Sequence, residues 1–193
     1  ATRVLWTLTL WVSWNRMSGF SNGNGSLISQ PLSSNSVNAI ETVTYTVTPK
    51  IGACSGSPVT TTYTVNPVPV GLVSPTGSVT LCDGISTNYA LSSTVTVGTG
   101  TSFVWSSAVT NGAMTNNSSC TGACGTNIVD ALHPQNNSPA TVAYTITPSA
   151  NGCTGSSYTQ SVTVNPIPVA VSTTGSSFCQ TGTTAVTLSS NTD

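Results

Sequence analysis

The sequence predicts an all-β chain, built as tandem antiparallel β-sandwich repeats of about 99 residues. Three observations predict it. First, whole strands and turns recur. Val43-Thr-Tyr-Thr-Val-Thr-Pro49 returns as Val142-Ala-Tyr-Thr-Ile-Thr-Pro148, and Gly52-Ala-Cys-Ser-Gly56 returns as Asn151-Gly-Cys-Thr-Gly155. Thr64-Val-Asn-Pro-Val-Pro-Val70 returns as Thr163-Val-Asn-Pro-Ile-Pro-Val169, every pair shifted by 99 positions. A period of that size is a domain length, not a solenoid unit. Second, the apolar runs are short, β-branched and alternate with period two, which is the signature of a strand with one buried and one solvated face. Third, Gly, Asn, Ser and Pro clusters separate these runs, and no stretch carries a period of 3.6.

Along the chain, Val4 to Trp14 alternates as Val-Leu-Trp-Thr-Leu-Thr-Leu-Trp-Val-Ser-Trp. It reads as a strand and not a signal peptide, because no basic start or small-residue cleavage site frames it. Trp6 and Trp14 then share one face and Trp11 takes the other. Thr42 to Thr48 places Val43, Tyr45 and Val47 inward, and Thr141 to Thr147 repeats this with Tyr144. Tyr45, Tyr144, Trp105 and its repeat partner Trp6 are the expected core aromatics. Each last strand runs into Asn-Pro-x-Pro-Val, where alternating prolines cannot donate to a ladder and favour a stiff extended backbone. This is the expected joint. After the second joint, Gly175 to Cys179 with Leu188-Ser-Ser190 echoes Gly77 to Cys82 with Leu91-Ser-Ser93. Residues 1–67 therefore read as the back of one immunoglobulin-like domain without its front strands. Residues 68–166 read as a complete domain, and residues 167–193 as the front strands of a third.

Composition narrows the function. Of the 193 residues, 37% are hydrophobic, enough for thin sandwich cores, but only 4% are charged and the net charge is −1. A soluble domain usually carries about 25% charged residues. So weakly charged a chain has no electrostatic footprint for nucleic acid, and no apolar run is long enough to insert as a membrane helix. A Ser-, Thr- and Asn-rich surface with little charge repulsion suits a fibre or a surface protein. The chain begins without Met and is taken as a mature or excised segment.

Six cysteines point to an oxidising compartment. Cys82 in an early strand and Cys153 before the last strand are expected to pair within the complete domain. Cys120 and Cys124 are expected to pin a local insertion. Cys54 corresponds to Cys153 and Cys179 to Cys82, so these two are expected to pair between units. There they would mark strand complementation at a sheet edge, either between separate chains or along a longer tandem polypeptide. Catalysis, cofactors and metals find no constellation. His133 stands alone in Leu-His-Pro, and Asp83 and Asp130 are isolated in sequence. No paired carboxylates or clustered acidic oxygens are legible. Trp11, Trp14 and Phe20 are the candidate contact aromatics, able to stack on sugar rings or pack against another subunit.

The recurring Val-Thr-Tyr-Thr-Val-Thr-Pro, Asn-Gly-Cys-Thr-Gly and Val-Thr-Val-Asn-Pro-x-Pro-Val elements resemble the PKD-like repeats of very large secreted surface proteins of Bacteroidota. Those proteins include gliding-motility-type adhesins exported by type IX secretion. The resemblance covers nearly the whole chain and implies an extracellular or cell-surface role, with no catalytic residue to transfer. The expected function is a structural and adhesive repeat segment of a filament or adhesin that assembles end to end with copies of itself. The alternative is a carbohydrate- or surface-binding spacer of a secreted multidomain protein, with surface glycans as partners.

Overall fold

The computed structural model describes residues 2–9 as backbone, and residues 16–98, 100–122, 124–171, 175, 177, 179–184 and 186–192. All regular elements among them are strands. In the first copy these are β1 (Thr2–Thr9), β2 (Met17–Ser18), β3 (Gly23–Asn24), β4 (Ser33–Ser34), β5 (Glu41–Ile51), β6 (Cys54–Ser55) and β7 (Val59–Val65). The second copy contributes β8 (Gly71–Ser74), β9 (Val79–Cys82), β10 (Tyr89–Ser93), β11 (Thr101–Asn111), β12 (Met114–Thr115), β13 (Asn127–Ile128), β14 (His133–Pro134), β15 (Ala140–Ala150), β16 (Cys153–Thr154) and β17 (Tyr158–Asn165). The third begins with β18 (Ala170–Val171) and β19 (Ser189–Ser190). The chain divides into two compact units, Ala1–Gly71 with Ser93–Ser102 and Pro148–Ser156, and Leu72–Ser92 with Phe103–Thr147 and Ser157–Asp193.

The second copy is a two-sheet sandwich. One sheet runs β11-β15-β17-β9 with β16 folded onto β15, and the other runs β13-β10-β8. β15 alternates buried and half-buried positions along most of its length, as threonines alternate with apolar residues. Its inward Val142, Tyr144 and Ile146 pack with Tyr89, Phe103 and Trp105 in a single core cluster. The edges of Tyr89 and Tyr144 meet 6.2 Å apart, a favoured aromatic geometry. The hairpin into β16 turns on Asn151 (φ 51°) and Gly152 (φ 78°), both left-handed as an Asn-Gly type I′ turn requires. One pairing departs from the antiparallel expectation: β9 joins the outer edge of β17 in parallel, with Val162 opposite Val79 and Asn165 opposite Cys82.

The first copy repeats only part of this. β5 lies between β1 and β7, as β15 lies between β11 and β17, and Trp6 is level with Val47. The short β2–β4 ladder pairs Met17 with Ser34, as β12–β14 pairs Met114 with Pro134. Val43, Tyr45 and Met17 form a small buried cluster, with Phe20, Ile28, Leu32, Val47 and Val65 around it. No strand among the described residues lies on the free edge of β7 or supplies the sheet that β8, β10 and β13 form in the second copy.

Candidate functional site

Each copy is pinned by a buried tyrosine that the strand pattern alone does not announce. In the second copy, Tyr144 donates its hydroxyl to Asp130 Oδ2 at 2.5 Å. The same carboxylate accepts the Ser118 backbone N–H and hydroxyl, each at 2.7 Å. Thr87 Oγ1 donates to the Ile128 carbonyl and accepts the Asp130 N–H, so the buried Asp130 stands in a filled network. Burial, then the hydrogen bond to Asp130 and its negative charge, hold the Tyr144 phenol far above its ordinary range. In the first copy Tyr45 donates to Gln30 Oε1 at 2.6 Å, and that oxygen accepts the Ser21 N–H at 3.0 Å. Gln30 thus stands where Asp130 stands. The Asp-to-Gln exchange and the nine-residue span from Ser21 to Gln30, against twelve from Ser118 to Asp130, hide the match in sequence.

The cysteines follow part of the expected scheme. Cys120 and Cys124 are joined, with Cα atoms 5.9 Å apart. Cys120 bridges to Trp105 as Gly23 pairs with Trp6, so the extra residues of this loop follow Cys120. The expected Cys82–Cys153 disulfide is absent, and both thiols are free. The reason is strand direction. Because β9 runs parallel to β17, Cys82 lies level with Asn165 at the end of that strand. Cys153 sits in the hairpin before the strand's other end. The seven steps from Tyr158 to Asn165 span about 23 Å at 3.3 Å per residue, well beyond disulfide reach. Cys54 and Cys179 are also free and exposed within the single chain.

Trp105, Tyr45 and Tyr144 are buried. The side chain of Trp6, and Trp11 and Trp14 entirely, lie outside the described residues. Phe20 is not an exposed contact aromatic. It packs against the Met17–Val43–Tyr45 cluster, because the turn after β2 folds it inward. The reading of His133 and Asp83 as isolated is also corrected: His133 Nδ1 lies 2.6 Å from Asp83 Oδ1. The fold brings them together because the Gly84 N–H bonds the Leu132 carbonyl at 3.0 Å, laying the turn after β9 beside β14. Among the described residues no hydroxyl or thiol hydrogen-bonds the other ring nitrogen, and no group of three or more metal-ligating side chains occurs. A cleft of about 190 Å³ beside Trp105 is lined by Thr121, Thr145 and Thr147. The buried Trp105 indole N–H has no hydrogen-bond partner among the described residues.

The first joint is clamped by its surroundings. Asn66 Nδ2 donates to the Asn151 carbonyl at 2.8 Å. Thr94 N–H donates to Val70 O at 3.0 Å, and Val70 N–H donates to Thr94 Oγ1 at 3.2 Å. Pro67 and Pro69 are buried, and a Cβ on Gly155 would come within 2.0 Å of Pro69 O. At the second joint Pro168 is exposed.

These features define a class of protein module, the all-β immunoglobulin-like sandwich, repeated along the chain. The family model of the PKD-like domain matches residues 11–69 and again 79–168, and the chain belongs to that family. PKD-like domains are typically extracellular, structural or adhesive in role, and generally non-catalytic. No curated protein matches the chain. No helix among the described residues is long and apolar enough to cross a membrane.

Proposed function

We propose that the chain is a structural and adhesive segment of an extracellular filament or cell-surface adhesin. In this reading PKD-like sandwiches follow one another end to end, with residues 1–67, 68–166 and 167–193 as successive repeats. The clamped first joint carries the reading. A proline-rich connector hydrogen-bonded at both of its ends, through the Asn66 side chain and the Val70 backbone, resists local bending, which a displayed or load-bearing array needs and a tethered binding module does not. The repeat signature supports a large secreted surface protein of the gliding-motility type, exported by type IX secretion in Bacteroidota. Sheets pulled across their ladders resist shear, and the chain's partner in the array is another repeat of its own kind. Antibodies against the chain should label intact, unpermeabilised cells of the source organism, on the surface or along fibres. Labelling that needs permeabilisation would overturn the reading. A glycan array probed with the native chain, Trp11→Ala and Trp14→Ala tests the carbohydrate-binding alternative. Glycan binding lost in both variants would replace the structural reading with a recognition module.

A further inference from the structure

The two free cysteines of the second copy stand at opposite ends of its sandwich, and each end is a joint. At one end Cys82 is level with Asn165, the residue before the first proline of the second joint. The Asp83 N–H, next along the chain from Cys82, bonds Asn165 O at 2.9 Å. At the other end lies the first joint, where the equivalent asparagine is Asn66, 99 residues earlier. There Cys153 Sγ approaches Asn66 O at 4.0 Å. The Cys153 hairpin is fixed in that place. Asn66 Nδ2 donates to Asn151 O at 2.8 Å, and Gly155 lies so close to Pro69 that a Cβ would come within 2.0 Å of its carbonyl oxygen.

One carbonyl oxygen therefore marks both cysteines. At a joint, the asparagine oxygen accepts the N–H that follows the front-strand cysteine of the sandwich ending there. The same oxygen meets the sulfur of the hairpin cysteine of the sandwich beginning there. A carbonyl has a lone pair for each, so the contacts are compatible. Only the Cys82 carbonyl carbon separates its Cα from the Asp83 nitrogen. Placing both contacts on one asparagine thus brings a front-strand and a hairpin cysteine together at the scale of a disulfide, whose Cα atoms stand about 5.5–6 Å apart. Within a single sandwich the same two cysteines are separated by the length of β17.

We infer that the disulfides of this repeat array cross its joints: the front-strand cysteine of one repeat, in the place of Cys82, pairs with the hairpin cysteine of the repeat that follows, in the place of Cys153. This deepens the end-to-end reading above and rests on it. Each bond forms by thiol–disulfide exchange. The two thiols give up two electrons and two protons to a small-molecule disulfide, which leaves as two thiols. The bond bypasses the Asn-Pro-x-Pro-Val joint, so tension along the array is carried by a covalent link as well as by the joint's hydrogen bonds. It assigns Cys54, a hairpin cysteine, and Cys179, a front-strand cysteine, to different joints, which argues against a disulfide between those two.

Duplicating residues 68–166 in tandem within the full chain tests the staple, because it sets two complete repeats across one Asn-Pro-Val-Pro-Val joint. Three variants keep Cys120 and Cys124 in both repeats and replace all but two of the remaining cysteines by Ser. The first keeps Cys82 of the leading repeat and Cys153 of the trailing one. The second keeps the converse pair, Cys153 of the leading repeat and Cys82 of the trailing one. The third keeps Cys82 and Cys153 of the leading repeat. Each is treated with oxidised glutathione at low protein concentration, and the monomer is analysed by free-thiol labelling and peptide mapping. The first should close internally roughly tenfold faster than the other two, because only thiols held at one joint have a high effective concentration. Reduced, all three should melt together, which separates failure to close from failure to fold. Equal closure in the three, or closure only in the second or third, would overturn the staple, as would a folded first variant that stays open. Surface labelling without this closure would leave the surface role intact and overturn only the staple. Specific closure in a chain labelled only inside cells would do the reverse.

Discussion

β7 and β17 share a place in the repeat, yet one is exposed at almost every residue and the other buries Gln160, Val162 and Val164. The strands are not intrinsically different. β17 has a neighbour on its free edge, β9, and a second sheet beneath it, while β7 has neither among the described residues. Burial of a strand face is therefore a property of what covers it, and the amphipathic pattern states only which face is ready to be covered.

The comparison can be broken at matched positions. Ile146 is fully buried and its counterpart Val47 only half-buried. Ile146→Ala should cost about 3 kcal/mol in urea denaturation and Val47→Ala about 1 kcal/mol. Equal costs would mean the first copy is as well packed as the second. Next comes the joint. Gly155→Ala drives a Cβ into the backbone of Pro69 and should cost about 2 kcal/mol, whereas Gly56→Ala meets chiefly the Pro49 ring and should cost under about 1 kcal/mol. Reducing Cys120–Cys124 opens a short loop, with a sequence separation of 4, and should cost about 2 kcal/mol. The Cys82→Ser and Cys153→Ser variants should melt within a degree or so of the native chain, since neither thiol is in a disulfide and a serine hydroxyl can keep the weak Cys153 Sγ–H bond to Asn66 O.

The smallest effect is a pH dependence. The Tyr144 phenol is raised above its ordinary value of 10.0, by burial first and then by Asp130. The neutral phenol is thus the form the fold favours. Its contribution is fully present below about pH 10, and it is lost as pH climbs above that value toward the folded-state pKa. A melting series from pH 8 to 11 should decline more steeply for the native chain than for Tyr144→Phe. Parallel curves would remove Tyr144 from the explanation.

Much of this fold was legible in the residues. Alternation in Thr42–Thr48 and Thr141–Thr147 marked β5 and β15 with their inward tyrosines. The 99-residue shift marked the copies, and Cys120 with Cys124 was marked by proximity. These are local signals, set by side-chain period and spacing. Other features were not legible. The Gln30-for-Asp130 exchange conceals the tyrosine network, because either residue supplies the one acceptor oxygen that the phenol needs. The His133–Asp83 contact joins residues fifty apart, and Phe20 looked exposed only because its turn was unknown.

The sequence by itself determined the strands, their inward faces, the repeat and the stiff joints, since these follow from backbone preference and period two. Only the tertiary structure decided which edges meet and in which direction. Parallel addition of β9 to β17 separated Cys82 from Cys153. Strand partnership is a non-local choice made by hydrogen-bonding edges and core volume, which no alternation pattern within one strand encodes.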